Sequence, residues 1–209
     1  MKILLLLTGL LAATPAFALE GVRSEAALQG RFELGPRLTH LRLRNEAGDE
    51  LGLGGIGLYL RYRLSRRFGV EGTLDAVMAD ELAPEAPGEV ERFATPMTLS
   101  VLFYFFPDSD LQVYLVAGGG TAAHQVDYDA LGQRLTYESP LAQFGVGAQL
   151  RLEDIRLDLS LRSLAMVTAR KSVTTQVIDA SAGGATYGVR QPDDRLEGAM
   201  MTLGVNWGW

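Results

Sequence analysis

Residues 199–209 read Ala199-Met200-Met201-Thr202-Leu203-Gly204-Val205-Asn206-Trp207-Gly208-Trp209. Ala199, Met201, Leu203, Val205, Trp207 and Trp209 fall at every second position, with Met200, Thr202, Gly204, Asn206 and Gly208 between them. A helix would spread the first set around its axis, whereas a strand places all of it on one face. The spacing therefore predicts a strand with one large apolar face and one smaller, more polar face.

The same period of two recurs along the chain. Ile155, Leu157, Leu159 and Leu161 alternate with Arg156, Asp158 and Ser160. Ile56, Leu58, Leu60, Tyr62 and Leu64 oppose Gly57, Tyr59, Arg61 and Arg63, and Phe68, Val70, Leu74, Ala76 and Met78 oppose Glu71, Thr73 and Asp75. Further strands carry Met97 to Phe105, Leu111 to Ala117 and Phe144 to Leu152 on their apolar faces. The first strand starts at about Leu28, with Leu28, Phe32 and Leu34 opposite Gln29, Arg31 and Glu33. Its apolar phase changes before Leu41 and Leu43, which predicts a bulge near Gly35-Pro36 or a little later. These segments make eight strands. Short connections (Ser65 to Arg67, Pro107 to Asp110, Glu153-Asp154) alternate with long ones (about Asn45 to Glu50, Asp80 to Phe93, Gln125 to Ser139, Val167 to Asp194), as in an even-stranded antiparallel meander.

Composition narrows the class. Of 209 residues, 47% are hydrophobic, yet the only long apolar run is Ile3 to Leu19. No later segment reaches the roughly 18–20 apolar residues that a spanning helix needs, which excludes a polytopic helical membrane protein. Lys2, the apolar Ile3 to Ala13 and the small-x-small Ala16-Phe17-Ala18 read as a secretory signal peptide cut after Ala18. Residues 1–18 are thus expected to be an export signal and 19–209 a single barrel domain, with 191 residues (209 − 18). The absence of cysteine removes disulfides, thiolate metal sites and thiol nucleophiles. An excess of acidic over basic groups, 25 against 19, without a Lys/Arg cluster argues against nucleic-acid binding.

Periodicity alone fits both a soluble calyx with an apolar interior and a membrane barrel with an apolar exterior. The terminal segment separates them. A strand of alternating large residues ending on Trp209 resembles the signal read by the outer-membrane barrel-assembly machinery, carried here by Met201, Leu203, Val205, Trp207 and Trp209. With the strand pattern and the short/long alternation, the chain resembles the small eight-stranded outer-membrane β-barrels of the OmpA/OmpX type over its mature length. The resemblance implies an all-β, antiparallel up-and-down transmembrane barrel in the outer membrane of a Gram-negative bacterium. It also implies contact with outer-membrane lipids and lipopolysaccharide, delivery by periplasmic chaperones, and a monomer. A periplasmic domain of the kind longer members of that family carry is not expected. Val173, Val177 and Ile178, then Thr186 to Val189, leave a ten-stranded alternative open. Outward parity gathers Tyr62, Phe68, Phe103, Phe105, Trp207 and Trp209 near the periplasmic rim, half of an aromatic girdle.

Chemistry would have to lie in the lumen. Inward parity collects Arg31, Arg61, Arg63, Arg151, Arg156 and Arg162 with Glu33, Glu71, Asp75 and Asp158. An eight-stranded interior is only wide enough for side chains to fill, so these charges are expected to pair as a structural plug. A narrow pore is the alternative. A lipid-modifying enzyme is a second one, but neither His40 nor His124 has a neighbouring His-x-Ser arrangement, and both are expected to be solvated at the extracellular rim. Asp127, Asp129, Glu138 and Ser139 follow His124 and leave a surface constellation conceivable. Gly52-Leu53-Gly54-Gly55-Ile56-Gly57 matches the dinucleotide fingerprint, but a strand follows where that fingerprint needs a helix. Its glycines are instead expected to make room inside the barrel for bulky neighbours or to relieve tight curvature. No cofactor or metal is expected. The expected role is structural or interactive, with the barrel anchoring extracellular loops for envelope integrity or surface contact.

Overall fold

In the computed structural model the described residues are 32–45, 48, 50–82, 89–128, 133–153, 155–167, 170–173 and 195–208. They form strands β1 (Phe32–Asn45), β2 (Glu50–Arg63), β3 (Phe68–Leu82), β4 (Glu89–Tyr104), β5 (Leu111–Tyr128), β6 (Gln133–Leu152), β7 (Ile155–Val167), β8 (Arg170–Val173) and β9 (Arg195–Gly208). Each long strand pairs antiparallel with its neighbours, β9 pairs with both β7 and β1, and β5–β6 pairing closes the ring. The four-residue β8 continues the β7 side of the wall by pairing with Leu135 to Glu138 of β6. The barrel therefore has eight strands, not ten. The expected export signal and the segment from residue 174 to 194 lie outside the described residues, as do Arg31 and Trp209.

Among the described residues, closure between the first and last strands leaves no free edge in the membrane, where an unpaired N–H or C=O has no water to bond. The eight long strands run from 13 to 20 residues, beyond the roughly 9–11 that a tilted strand needs to span the hydrocarbon. The excess lies at the end carrying the long connections. There β3 and β4 stay paired to Leu82↔Glu89, and β5 and β6 to Tyr128↔Gln133. Two of the connections expected to be long loops are thus largely sheet.

Side-chain parity divides the wall into two zones. Nearer the short turns, outward positions hold Leu34, Leu38, Ile56, Leu58, Leu60, Leu99, Val101, Leu115, Val146, Leu159 and Leu203, all exposed. Phe32 with Tyr62 (ring centroids 4.6 Å) and Phe68 with Phe103 (5.2 Å) form aromatic pairs at the lower rim, and Phe103 continues to Phe105 (5.3 Å). Higher up, the outward positions become Arg42, Arg44, Glu50, Glu91, Arg134, Glu138 and Glu197. There the interior becomes apolar, with Leu41, Leu43, Leu53, Val77, Leu141, Leu164, Met166 and Met200 buried in one cluster.

This inversion corrects the expected bulge in β1. Burial alternates without a break from Phe32 to Arg44, and the β1–β2 register runs from Phe32↔Tyr62 to Arg44↔Glu50 with no inserted residue. The apolar phase shifts at Leu41 because the environments change places, while the strand stays regular. Gly57 faces inward, and a Cβ there would lie 2.1 Å from the Asp75 carboxylate oxygen. A Cβ at Gly147 would lie 2.2 Å from the Tyr114 ring. Both positions need glycine because a large lumen side chain crosses them.

Candidate functional site

The lower lumen is built from inward positions of all eight long strands, and its side chains meet across the barrel. Nearest the short turns, Glu33 forms an ion pair with Arg156 (2.6 Å) and accepts a hydrogen bond from the Gln149 amide (2.7 Å). Arg63 stacks 3.6 Å above the Tyr104 ring and donates to Gln112, whose amide in turn donates to the Pro107 carbonyl (2.8 Å). Asn206 donates to the Tyr59 hydroxyl at 2.8 Å.

One level higher, Arg61 is the hub. Its guanidinium donates to Glu71 (2.6 Å), Asp158 (2.6 Å) and the Tyr114 hydroxyl (2.8 Å), and it lies between the Tyr59 and Tyr114 rings. The Tyr114 hydroxyl donates to Asp158 at 3.0 Å. Glu71 also pairs with Arg162 (2.8 Å), which donates to the Ser160 hydroxyl (3.0 Å). Further up the same side, Arg37 and Thr39 of β1 both donate to Asp75 of β3, at 2.8 and 2.7 Å, and across the lumen Gln143 of β6 donates to Thr98 and Ser100 of β4. A buried charge far from water is tolerable only when paired and hydrogen-bonded, and each of these four carboxylates meets at least one guanidinium.

The structure brings Glu33, Arg61, Arg63, Glu71, Asp75, Arg156, Asp158 and Arg162 into the lumen. Arg151 is a correction. It lies opposite Arg156 at the lower rim, and only Arg156 turns inward to Glu33, while Arg151 is exposed. Two arginines side by side would repel, and water solvates one of them at the mouth. Arg37 is the main addition. It was absent from the expected inward set, although continuing the Glu33 parity by four residues reaches it. The tyrosines, glutamines and threonines that complete the network carry no signal beyond parity, because their partners depend on register and barrel closure.

His124 also departs from expectation. It points inward in the upper zone, is buried, and stacks on Tyr137 at 4.6 Å with the rings 9° apart. His40 is outward and exposed. Strand parity divides the conceivable surface constellation. His124 and Ser139 face the interior, whereas Asp127 pairs with Arg134 outside (2.6 Å) and Glu138 is exposed; Asp129 lies outside the described residues. Nothing among the described residues joins His124 to a serine and a carboxylate.

A closed antiparallel barrel of eight strands, apolar outside between an aromatic rim and a charged collar, is an integral membrane protein of the outer-membrane barrel class. The sequence profile of the outer membrane protein beta-barrel domain matches residues 3–207, and the chain belongs to that family. It resides in the outer membrane, in contact with its lipids. A search of curated proteins gives no match. Among solved structures it is similar in fold to Ail, the attachment invasion locus protein of Yersinia pestis, in complex with the heparin analogue sucrose octasulfate. That likeness has 15% identity and a TM-score of 0.55, covering 87% of this chain and 99% of Ail. Neisserial surface protein A gives 14% identity and 0.53 over 85% of this chain and 97% of that one. OprG of Pseudomonas aeruginosa gives 12% and 0.52 over 87% and 96%.

Proposed function

We propose that this protein is a closed, non-enzymatic outer-membrane anchor that works by presenting its extracellular collar and connections to surface partners. The observation that carries this reading is the doubly filled interior. Charged and polar side chains interlock in the lower lumen, and a cluster from Leu41 to Met200 packs above them. An ion crossing this barrel has to break the Arg61–Glu71–Asp158 contacts and then pass an apolar layer without water. Two proteins similar in fold, an attachment protein and a surface protein, are compatible with surface contact.

An export signal over residues 1–18 delivers the chain to periplasmic chaperones. The outward row Met201, Leu203, Val205 and Trp207 on β9, extended in sequence by Trp209, serves recognition by the barrel-assembly machinery. The folded protein is monomeric. The test is reconstitution of the purified protein in planar bilayers, with adhesion of cells displaying it measured in parallel. The expected result is a silent bilayer and adhesion above that of cells without the protein. Steady single-channel conductance with unchanged adhesion makes it a pore, and altered lipid A in those cells by mass spectrometry makes it a lipid-modifying enzyme.

A further inference from the structure

One ionisable side chain of the collar is built into apolar surroundings and takes no part in the lower network. His124 lies near the upper end of β5, where β5 and β6 stay paired from Ala123↔Glu138 to Tyr128↔Gln133. It is buried and lies flat on Tyr137 of β6. The inward positions around it are Ala94 of β4, Ala122 and Val126 of β5, and Leu135 and Leu141 of β6, all buried. Its Nε2 atom has no hydrogen-bond partner among the described residues. The hydroxyl of Ser139, buried on the same face, has none either, so the two are not bonded to each other.

Such a site holds a neutral imidazole far better than an imidazolium. A protonated ring donates from both nitrogens, and here the Nε2 proton would meet no acceptor. The charge itself would lie in an apolar cluster. The charged and titratable neighbours do not reverse that balance. Tyr137 faces the ring from β6. On β4, Arg92 lies two residues from Ala94, the register partner of His124, and its positive charge opposes a second one. Register puts Lys171 of β8 opposite Tyr137, and Glu81 of β3 opposite Val90, one strand further from β5 than Arg92. Burial first, and Arg92 second, push the His124 pKa from its ordinary 6.5 down to about 4.

We propose that His124 is an acid-released latch of the extracellular collar. At neutral pH the uncharged ring, packed on Tyr137, holds the upper parts of β5 and β6 against the apolar interior. Protonation favours a form in which they yield and the ring reaches water. A ring in water takes up its proton near 6.5 and the packed ring near 4, so the open form gains population as pH falls through that window and gains no more below it. Across about 2.5 pH units the opening equilibrium shifts about 300-fold, or about ten-fold per unit. Mild acid thereby uncovers the inner face that carries Val126, Leu135 and Tyr137. The latch depends neither on whether the lumen conducts nor on what the protein contacts at the surface.

The chain has no cysteine, so single thiols report the opening. Val126→Cys places one beside the ring, and Ala123→Cys, outward and exposed, gives the rate of a fully accessible thiol on the same strand. Both are labelled in lipid vesicles, from neutral pH to below 4, with a dipyridyl disulfide that reacts with thiols in acid as well as at neutral pH. Heat-modifiable gel mobility verifies that every variant is folded. The ratio of the buried to the exposed rate is expected to rise about 300-fold between pH 6.5 and about 4 and then to level off. His124→Phe, which keeps an aromatic ring on Tyr137, and His124→Gln, a second neutral variant, each make the Val126→Cys ratio independent of pH. Val116→Cys, buried in the lower lumen on the same strand, gives a flat ratio as well. A flat ratio with His124 present, an equal rise in both His124 variants, or a parallel rise at Val116→Cys overturns the proposal.

Discussion

The lower belt of this barrel and its upper collar use the same eight strands with opposite chemistry. In the belt, Leu99, Leu159 and Ile56 face outward while Arg61, Glu71 and Asp158 face inward. In the collar, Arg42, Arg44 and Glu138 face outward while Leu41, Leu53 and Met200 face inward. Strand parity does not change between them, and no bulge separates them in β1. What changes is the solvent. Hydrocarbon surrounds the belt, so its apolar residues gain nothing by turning inward and its charges must be matched inside. Water surrounds the collar, so burying leucine and methionine there is favourable by the ordinary hydrophobic effect. The molecule is a membrane barrel continued as a water-soluble barrel.

The comparison breaks most severely at its polar hub. Glu71→Ala leaves Arg61 and Arg162 without a shared carboxylate inside the belt, and loss of one partner of a buried pair costs about 3–5 kcal/mol. Urea unfolding of the protein in lipid vesicles is expected to give that loss. In the collar the equivalent damage is a cavity. Leu41→Ala removes a fully buried side chain and should cost about 2–5 kcal/mol in the same assay, as in the core of a soluble protein.

The outer faces sharpen the contrast. Leu99→Arg places a charge on the lipid side of the belt and should destabilise by about 2–4 kcal/mol. Glu138→Arg, outward on the collar, should stay within about 0.5 kcal/mol of wild type because water surrounds it. The smallest effect lies in the lower turns, where Arg66 pairs with Asp108 at 2.5 Å. The hydrogen bond from Arg66 holds the Asp108 carboxyl below its ordinary value of 3.8. A carboxyl depressed in the folded state stabilises above its unfolded value and loses that contribution as pH falls through the folded one. The small advantage of wild type over Asp108→Asn should therefore be intact at neutral pH, shrink as pH falls below 3.8, and vanish in stronger acid, as read from urea midpoints against pH.

The belt was legible in the sequence because its rule is simple. Ile155 to Leu161 alternates with one face for lipid and one for the lumen, and the register later places both faces where parity assigns them. The collar was misread for the same reason. In Arg134-Leu135-Thr136-Tyr137-Glu138 the alternation is intact, with Leu135 and Tyr137 buried, but its sense is that of a soluble barrel. Against the membrane pattern it looked like loop, and in β1 the same reversal looked like a bulge. One inference from that reading failed with it, the solvation of His124, and Arg37 went unnoticed among the inward residues. The pairing of Arg61 with Asp158, 97 residues away, depends on closure of the whole ring and could not be read from spacing.

The central claim is that inside and outside exchange polarity partway up one continuous wall. The chain contains no cysteine, so single cysteines carrying a spin label report each position without background. Accessibility to oxygen, which partitions into lipid, and to a water-soluble nickel chelate, measured at Leu38, Arg42, Leu99, Glu138, Leu53 and Asp158 in vesicles, tests it most directly. The account predicts lipid contact at Leu38 and Leu99, water contact at Arg42 and Glu138, and protection from both reagents at Leu53 and Asp158. Lipid contact at Arg42 or Glu138, or free access of the chelate to Leu53, would contradict it.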